Sequence, residues 1–277
     1  MKKILVPCDF SDPAVQAFKT AVEIAGKSDG EVVLLNVIEL PVMHESVLMP
    51  TLSFEEAFIK DMKEHAEKNF KKMIDKWAKE GPRVTSFIEF GGTTPTIRDF
   101  VKEHSIDLIV MGTHGASGMK EFFIGSNTEK IVRTAEVPVI SLKQQLKLSD
   151  MKDIIFPTIL ELTNEDIVSH VKELQNFFKA TLHVLFVNTP SSFKRDLEIR
   201  AQMKVFAKRF MLKDYTLNVW NDYSEEEGLK NFVMETKADM VAMATHGRRG
   251  LNHLMSGSIA EDAVNHLNCA IWTYKIS

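Results

Sequence analysis

Two cysteines in 277 residues, Cys8 and Cys269, are too few for a disulfide framework. No CxxC spacing suggests a redox or metal site, so the thiols read as those of a reduced compartment. Long apolar runs are also missing. Nothing approaches the roughly 18 consecutive apolar residues of a membrane-spanning helix. The opening Ile4-Leu5-Val6 run is cut short by Asp9 before it can resemble a secretory signal, so the expected location is the cytoplasm. A basic surplus is absent too: 34 Lys and Arg against 38 Asp and Glu give a formal charge of −4. That balance argues against an electrostatic nucleic-acid binder and leaves room for a local basic site. With 44% hydrophobic and 26% charged residues the chain has the composition of a globular protein. At about 150 residues per domain its length suggests two domains.

The chain repeats itself. Thr113-His114-Gly115 recurs as Thr245-His246-Gly247, an offset of 132 residues, and Gly125-Ser126 recurs at the same offset as Gly257-Ser258. Near the front of each half, Pro7 and Val37 match Pro157 and Val187 at an offset of 150, so the first half carries 18 extra residues, placed around Leu40–Phe54. Repetition on this scale means two copies of one domain. The expected division is a first domain over 1–143, a linker over 144–152 and a second domain over 153–277.

Within each copy, short β-branched runs alternate with amphipathic segments. Ile4–Val6, Val32–Val37, Val84–Phe90, Ile106–Met111 and Val137–Leu142 read as strands covered on both faces. Asp12-Pro13 predicts a helix start with Asp12 as the cap, and Ser126-x-x-Glu129 predicts a capping box. The alternation gives an α/β class: two tandem five-stranded, parallel, doubly wound sheets of Rossmann-like form. In such a sheet a ligand sits beyond the carboxyl ends of the strands, where the winding reverses. For five strands that point lies between the first and fourth, so Pro7-Cys8-Asp9 should face Gly112 and the segment after it.

The residue types there favour a phosphorylated ligand. Gly112 and Gly115 allow close backbone approach, and the helix opening at Gly125-Ser126 offers free N–H groups and the positive end of its dipole. Asp9 would repel phosphate and suits a sugar hydroxyl or base amine. There is no GxxxxGK[ST], no GxGxxG after the first strand and no GxSxG elbow. His114 and His246 occupy matched loop positions without a nucleophile and an orienting partner, and Cys8 reads as an inert core residue.

Gly112-x2-Gly115-x9-Gly125-Ser126, together with Ile4-Leu5-Val6-Pro7-Cys8-Asp9-Phe10-Ser11, resembles the universal stress protein family, in a tandem form covering nearly the whole chain. The resemblance implies an adenine-nucleotide alpha hydrolase-like fold and an ATP, ADP or AMP ligand, with or without Mg2+. It also implies a stress-linked regulatory role with at most weak ATP hydrolysis. Carried over, Pro7, Asp9 and Val37 would flank adenine and ribose, while Met111, Gly112, Gly115, Gly125, Ser126 and Asn127 would line ribose and phosphates. It further implies fifth strands paired across a two-fold axis, here within one chain, with a homodimer as a further possibility. In the second half Ile159 replaces Asp9 and Ala244 replaces Gly112, which points to a degenerate lobe. Gly247, Arg248, Gly257 and Ser258 are its residual candidates. A slow ATPase and a non-binding scaffold acting through protein contacts stand as the alternatives. The apolar Leu40–Leu52 stretch suggests a lid or a contact surface.

Overall fold

The structure, a computed structural model, describes residues 1–39, 52–113, 125–163, 165–246, 260, 263 and 266–276, with the backbone alone for 52–56 and 246. His114, Gly115, Gly247, Arg248, Gly257, Ser258 and the Leu40–Leu52 stretch, of which Leu52 opens a helix, fall outside the described side chains.

In the first half, β1 (Lys3–Pro7), α1 (Asp12–Ser28), β2 (Glu31–Ile38), α2 (Leu52–Trp77) and β3 (Arg83–Phe90) are followed by α3 (Thr93–Glu103), β4 (Leu108–Gly112), α4 (Ser126–Thr134) and β5 (Val139–Leu142). The second half runs β6 (Asp153–Pro157), α5 (Glu165–Phe178), β7 (Thr181–Asn188), α6 (Asp196–Arg209), β8 (Tyr215–Asn221), α7 (Glu225–Thr236), β9 (Met240–His246) and β10 (Ala270–Ile276). All ten strands form one sheet in the order β3-β2-β1-β4-β5-β10-β9-β6-β7-β8. Neighbours within each half are parallel, and β5 meets β10 antiparallel, with Trp272 opposite Ile140. The winding reverses between β1 and β4, and again between β6 and β9.

The runs of β1, β2, β4 and β5 are largely buried, whereas Val84–Phe90, expected to be covered on both faces, forms the edge strand β3 and is nowhere fully buried. Ile4, Val6, Leu108 and Val110 pack under α1 and α2 against Phe18 and Phe70, while Leu5 and Ile109 pack with Ile97, Phe100 and Ile131 of α3 and α4. Every one of those strand residues is fully buried, and each such side chain contributes about 1.5–3 kcal/mol. Both core layers run on into the second half through Ile154 on one face and Ile155 on the other.

A pair of aspartates, 132 residues apart like the other repeat anchors, pins the strand starts. Asp107 Oδ2 accepts the N–H groups of Lys2 and Lys3 at 2.7 and 2.9 Å, and Asp239 Oδ2 accepts those of Lys152 and Asp153 at 2.8 and 3.1 Å. Left-handed backbone repeats as well, at Phe10 (φ 65°) and Leu160 (φ 64°), each three residues beyond its strand's proline. The segment joining the halves is strapped to α1: Leu146 N–H donates to Thr20 Oγ1, and Gln145 and Leu148 donate to the Glu23 carboxylate at 2.7 and 2.8 Å. No helix among the described residues is long and apolar enough to cross a membrane.

Candidate functional site

Pro7 ends β1, and the chain turns through Cys8-Asp9-Phe10 into α1. The cap of α1 is Ser11, not Asp12, which is the first helical residue. Ser11 Oγ accepts from Ala14 N–H and donates to Asp9 Oδ1 at 2.6 Å, while Ser11 N–H reaches the same oxygen at 3.1 Å. This Asx turn takes over the cap and fixes the Asp9 carboxylate at the mouth of the β1/β4 gap. Asn36 of β2 donates to the Cys8 carbonyl at 2.8 Å and holds the turn from the other side. Cys8 itself faces inward with its Sγ 4.0 Å from Met73 Sδ.

Across the gap, β4 ends at Gly112 and α4 begins at Ser126. Gly125 N–H donates to the Thr113 carbonyl at 2.9 Å and Thr128 Oγ1 donates to the Gly112 carbonyl at 3.0 Å, which seats the first turn of α4 on the strand end. The expected Ser126–Glu129 capping box does not form. Gly125 takes the cap position and makes no side-chain cap bond. Glycine cannot cap through a side chain, and the amino end of a helix carries N–H donors that suit an anion. α3 borders the same space. Thr93 donates through both N–H and Oγ1 to Glu39 Oε1, at 2.9 and 2.7 Å, and these two bonds hold the Glu39 carboxyl below its ordinary range. Thr94 Oγ1 reaches Asn127 Oδ1 at 3.4 Å and ties α3 to α4.

These elements enclose a crevice of about 330 Å³, within the range of small-molecule sites. Pro7, Asp9, Val37, Met111, Gly112, Gly125, Ser126 and Asn127 all line it, so the described members of the sequence-derived set converge on one space. Sequence reasoning missed Asn36, Thr93 and Ile97, which also line it. A polar Asn36 inside the apolar Val32–Val37 run was the available signal for the first. The walls are apolar at Val37, Ile97 and Met111. Acceptors sit at Asp9 and donors at the α4 end. The groups among the described residues include no cluster of His, Cys, Asp and Glu able to hold a metal ion.

Gly112 has a neighbour that the sequence did not show. A Cβ there would lie 2.6 Å from the carbonyl carbon and Cβ of Pro13, so the packing of α1 on β4 by itself requires glycine.

Burial pushes the Cys8 and Cys269 thiols up to about 12, far above the ordinary thiol value. Both are therefore neutral and poorly nucleophilic near pH 7. In native protein at pH 8, a thiol-disulfide reagent is expected to label neither within minutes and both after denaturation. Rapid native labelling of Cys8 would show that the turn opens readily.

The model of the universal stress protein family matches residues 1–143 and 221–275, leaving residues 144–220 outside the matched segments. A universal stress protein of Methanocaldococcus jannaschii is 30% identical over 146 residues, which is 53% of this chain and 84% of that protein. Universal stress protein YxiE of Bacillus subtilis is 29% identical over 145 residues, 51% of this chain and 98% of its own length. Among solved structures, a universal stress protein from Archaeoglobus fulgidus superposes with a TM-score of 0.78 at 17% identity, covering 99% of this chain and 98% of its own, a likeness of fold.

Proposed function

Because the chain belongs to the universal stress protein family, we propose that its first half binds an adenine nucleotide in the crevice between β1 and β4 and acts as a stress-response regulatory module. One observation carries the reading: a fixed carboxylate acceptor, Asp9, and the glycine-led amino end of α4 line one apolar-walled space at the reversal of the sheet. Adenine and ribose would lie against Pro7 and Val37, with a ribose hydroxyl donating to Asp9 and Met111 beside the ribose. The phosphates, of ATP, ADP or AMP and with or without Mg2+, would meet the N–H groups of Ser126 and Asn127, where the helix dipole favours negative charge. Gly115 would complete the phosphate side.

On the same reading the chain divides into lobes 1–143 and 153–277, joined by 144–152 and paired within one molecule. The antiparallel β5–β10 ladder and the strap to Glu23 support that division. Ile159 in place of Asp9 supports a second lobe that has lost the nucleoside acceptor. Two free cysteines support a reducing compartment, the cytoplasm.

The test is calorimetry with ATP on the whole chain. A hydrogen bond to a charged group is worth about 1.5–3 kcal/mol, so Asp9→Ala is expected to weaken affinity about 10- to 100-fold with the thermal transition nearly unchanged. Equal affinity in a folded variant would remove Asp9 from the site.

A further inference from the structure

A second concavity, of about 500 Å³, opens where the two halves meet, on residues that the nucleotide reading does not use. One wall is the segment leaving β5, from Leu142 to Lys147. The other is the carboxyl half of α7 with the chain entering β10. Because β10 runs antiparallel to β5, the end of one strand adjoins the start of the other, so this space exists only where the halves join.

Lys143, Lys147, Lys230 and Lys237 all line it, two from the segment leaving β5 and two from the second half, and His266 adds an imidazole. In a chain of net charge −4, four lysines around one hollow are a local concentration of basic residues, not a general basicity of the surface. Among the described residues, Lys147, Lys230 and Lys237 form no ion pair. The wall also carries Asp150 and Asp239, so its four lysines face two carboxylates and the lining keeps a formal excess of two positive charges. Lys143 is partly buried, and that burial lowers its pKa, so an anion beside it would give a partly desolvated ammonium a counter-charge. Like charges lining a hollow with low-dielectric walls focus a positive potential into it. Leu142, Leu146, Val233 and Leu267 supply such walls.

We propose that this interlobe hollow binds a small anion carrying one or more phosphate groups, held by Lys143, Lys147, Lys230 and Lys237. Lysine serves phosphate as a point charge without a fixed fork, which suits walls built from separate segments. Because the lysines come from the segment leaving β5 and from the second half, occupancy would also clamp that segment to the second half.

The test uses two probes on the full chain at physiological salt: inorganic tripolyphosphate, which is all charge, and phenyl phosphate, which adds an apolar body. Saturable binding of either at one site per chain is expected. Lys147→Gln combined with Lys230→Gln should weaken it about tenfold or more, while Lys68→Gln combined with Lys72→Gln, on exposed α2 positions, should leave it unchanged. Tighter binding of tripolyphosphate would identify a free polyphosphate-type ligand, and tighter binding of phenyl phosphate a phosphorylated organic one. Loss of affinity in the Lys147→Gln/Lys230→Gln variant separates this hollow from the crevice, because neither lysine lines the crevice. Binding weaker than about 1 mM for both probes, or affinity unaffected by the Lys147/Lys230 double variant, would overturn the proposal.

Discussion

Trp272→Ala is expected to cost about 3–5 kcal/mol, a large share of the stability of an ordinary domain. Trp272 lies on β10 at the seam, 1% exposed, and heads the fully buried side chains by volume. It faces Ile140 of β5 across the antiparallel ladder and Ala242 of β9 on the other side. Truncation therefore opens a cavity where the two halves share a core layer, with few atoms free to collapse into it. Trp272→Phe should behave differently. The Trp272 Nε1–H has no hydrogen-bond partner among the described residues. A buried unsatisfied donor costs about 1–3 kcal/mol, so removing it offsets much of the packing that phenylalanine loses. Urea denaturation of the three proteins decides the matter. Alanine far below wild type with phenylalanine near it is the expected order. Equal losses would show that ring volume alone counts, and a mild alanine would mean that the seam contributes little.

Gly112→Ala is expected to damage stability and ligand binding together. The added Cβ would stand 2.6 Å from the Pro13 carbonyl carbon and 2.8 Å from its oxygen, both backbone atoms that cannot swing aside as a flexible side chain could. Overpacking of this kind costs about 1–3 kcal/mol. The relief available is for α1 to lift off the end of β4. That movement would carry Ser11 and the Asp9 turn with it, and would strain the bond from Thr128 Oγ1 to the Gly112 carbonyl. ATP affinity should thus fall although the new methyl points at a helix and not into the crevice. The second half is the natural control, because Ala244 already occupies the matched position there. Ala244→Gly should change stability by no more than the ~0.5–1 kcal/mol that glycine costs in a strand. Thermal denaturation and calorimetry on both variants test this. A Gly112→Ala protein as stable as wild type would show that α1 has slack at Pro13.

Strand positions were legible because a parallel sheet covered on both faces demands continuous apolar runs, and Val32–Val37 or Ile106–Met111 leaves little else to read. The crevice was legible for a related reason, since strand order alone fixes where the winding reverses. Local capping was less so. Asp12 and Ser11 are both good caps in isolation. The Asx turn to Asp9 and the left-handed Phe10 between them decide for Ser11, and neither follows from composition. Ser126-x-x-Glu129 satisfies the capping-box pattern, yet the bond from Gly125 N–H to the Thr113 carbonyl brings the cap one residue earlier. The contact of Gly112 with Pro13 was not legible, because it depends on how closely α1 packs on β4. Asn36, Thr93 and Ile97 entered the crevice unannounced, brought in by the β2 and α3 ends. The matched pair Asp107 and Asp239 shares the 132-residue offset of the other anchors, but its role at the strand starts shows only in three dimensions.

The most direct measurement is native mass spectrometry of the purified chain, followed by acid release and identification of whatever was bound. A 31.4 kDa protein carrying one adenine nucleotide, or taking one up when ATP and Mg2+ are added, and losing it in the Asp9→Ala variant, is the result expected for a crevice between β1 and β4 that holds the nucleoside through Asp9. A folded protein that carries none and takes up none under the same conditions would contradict it.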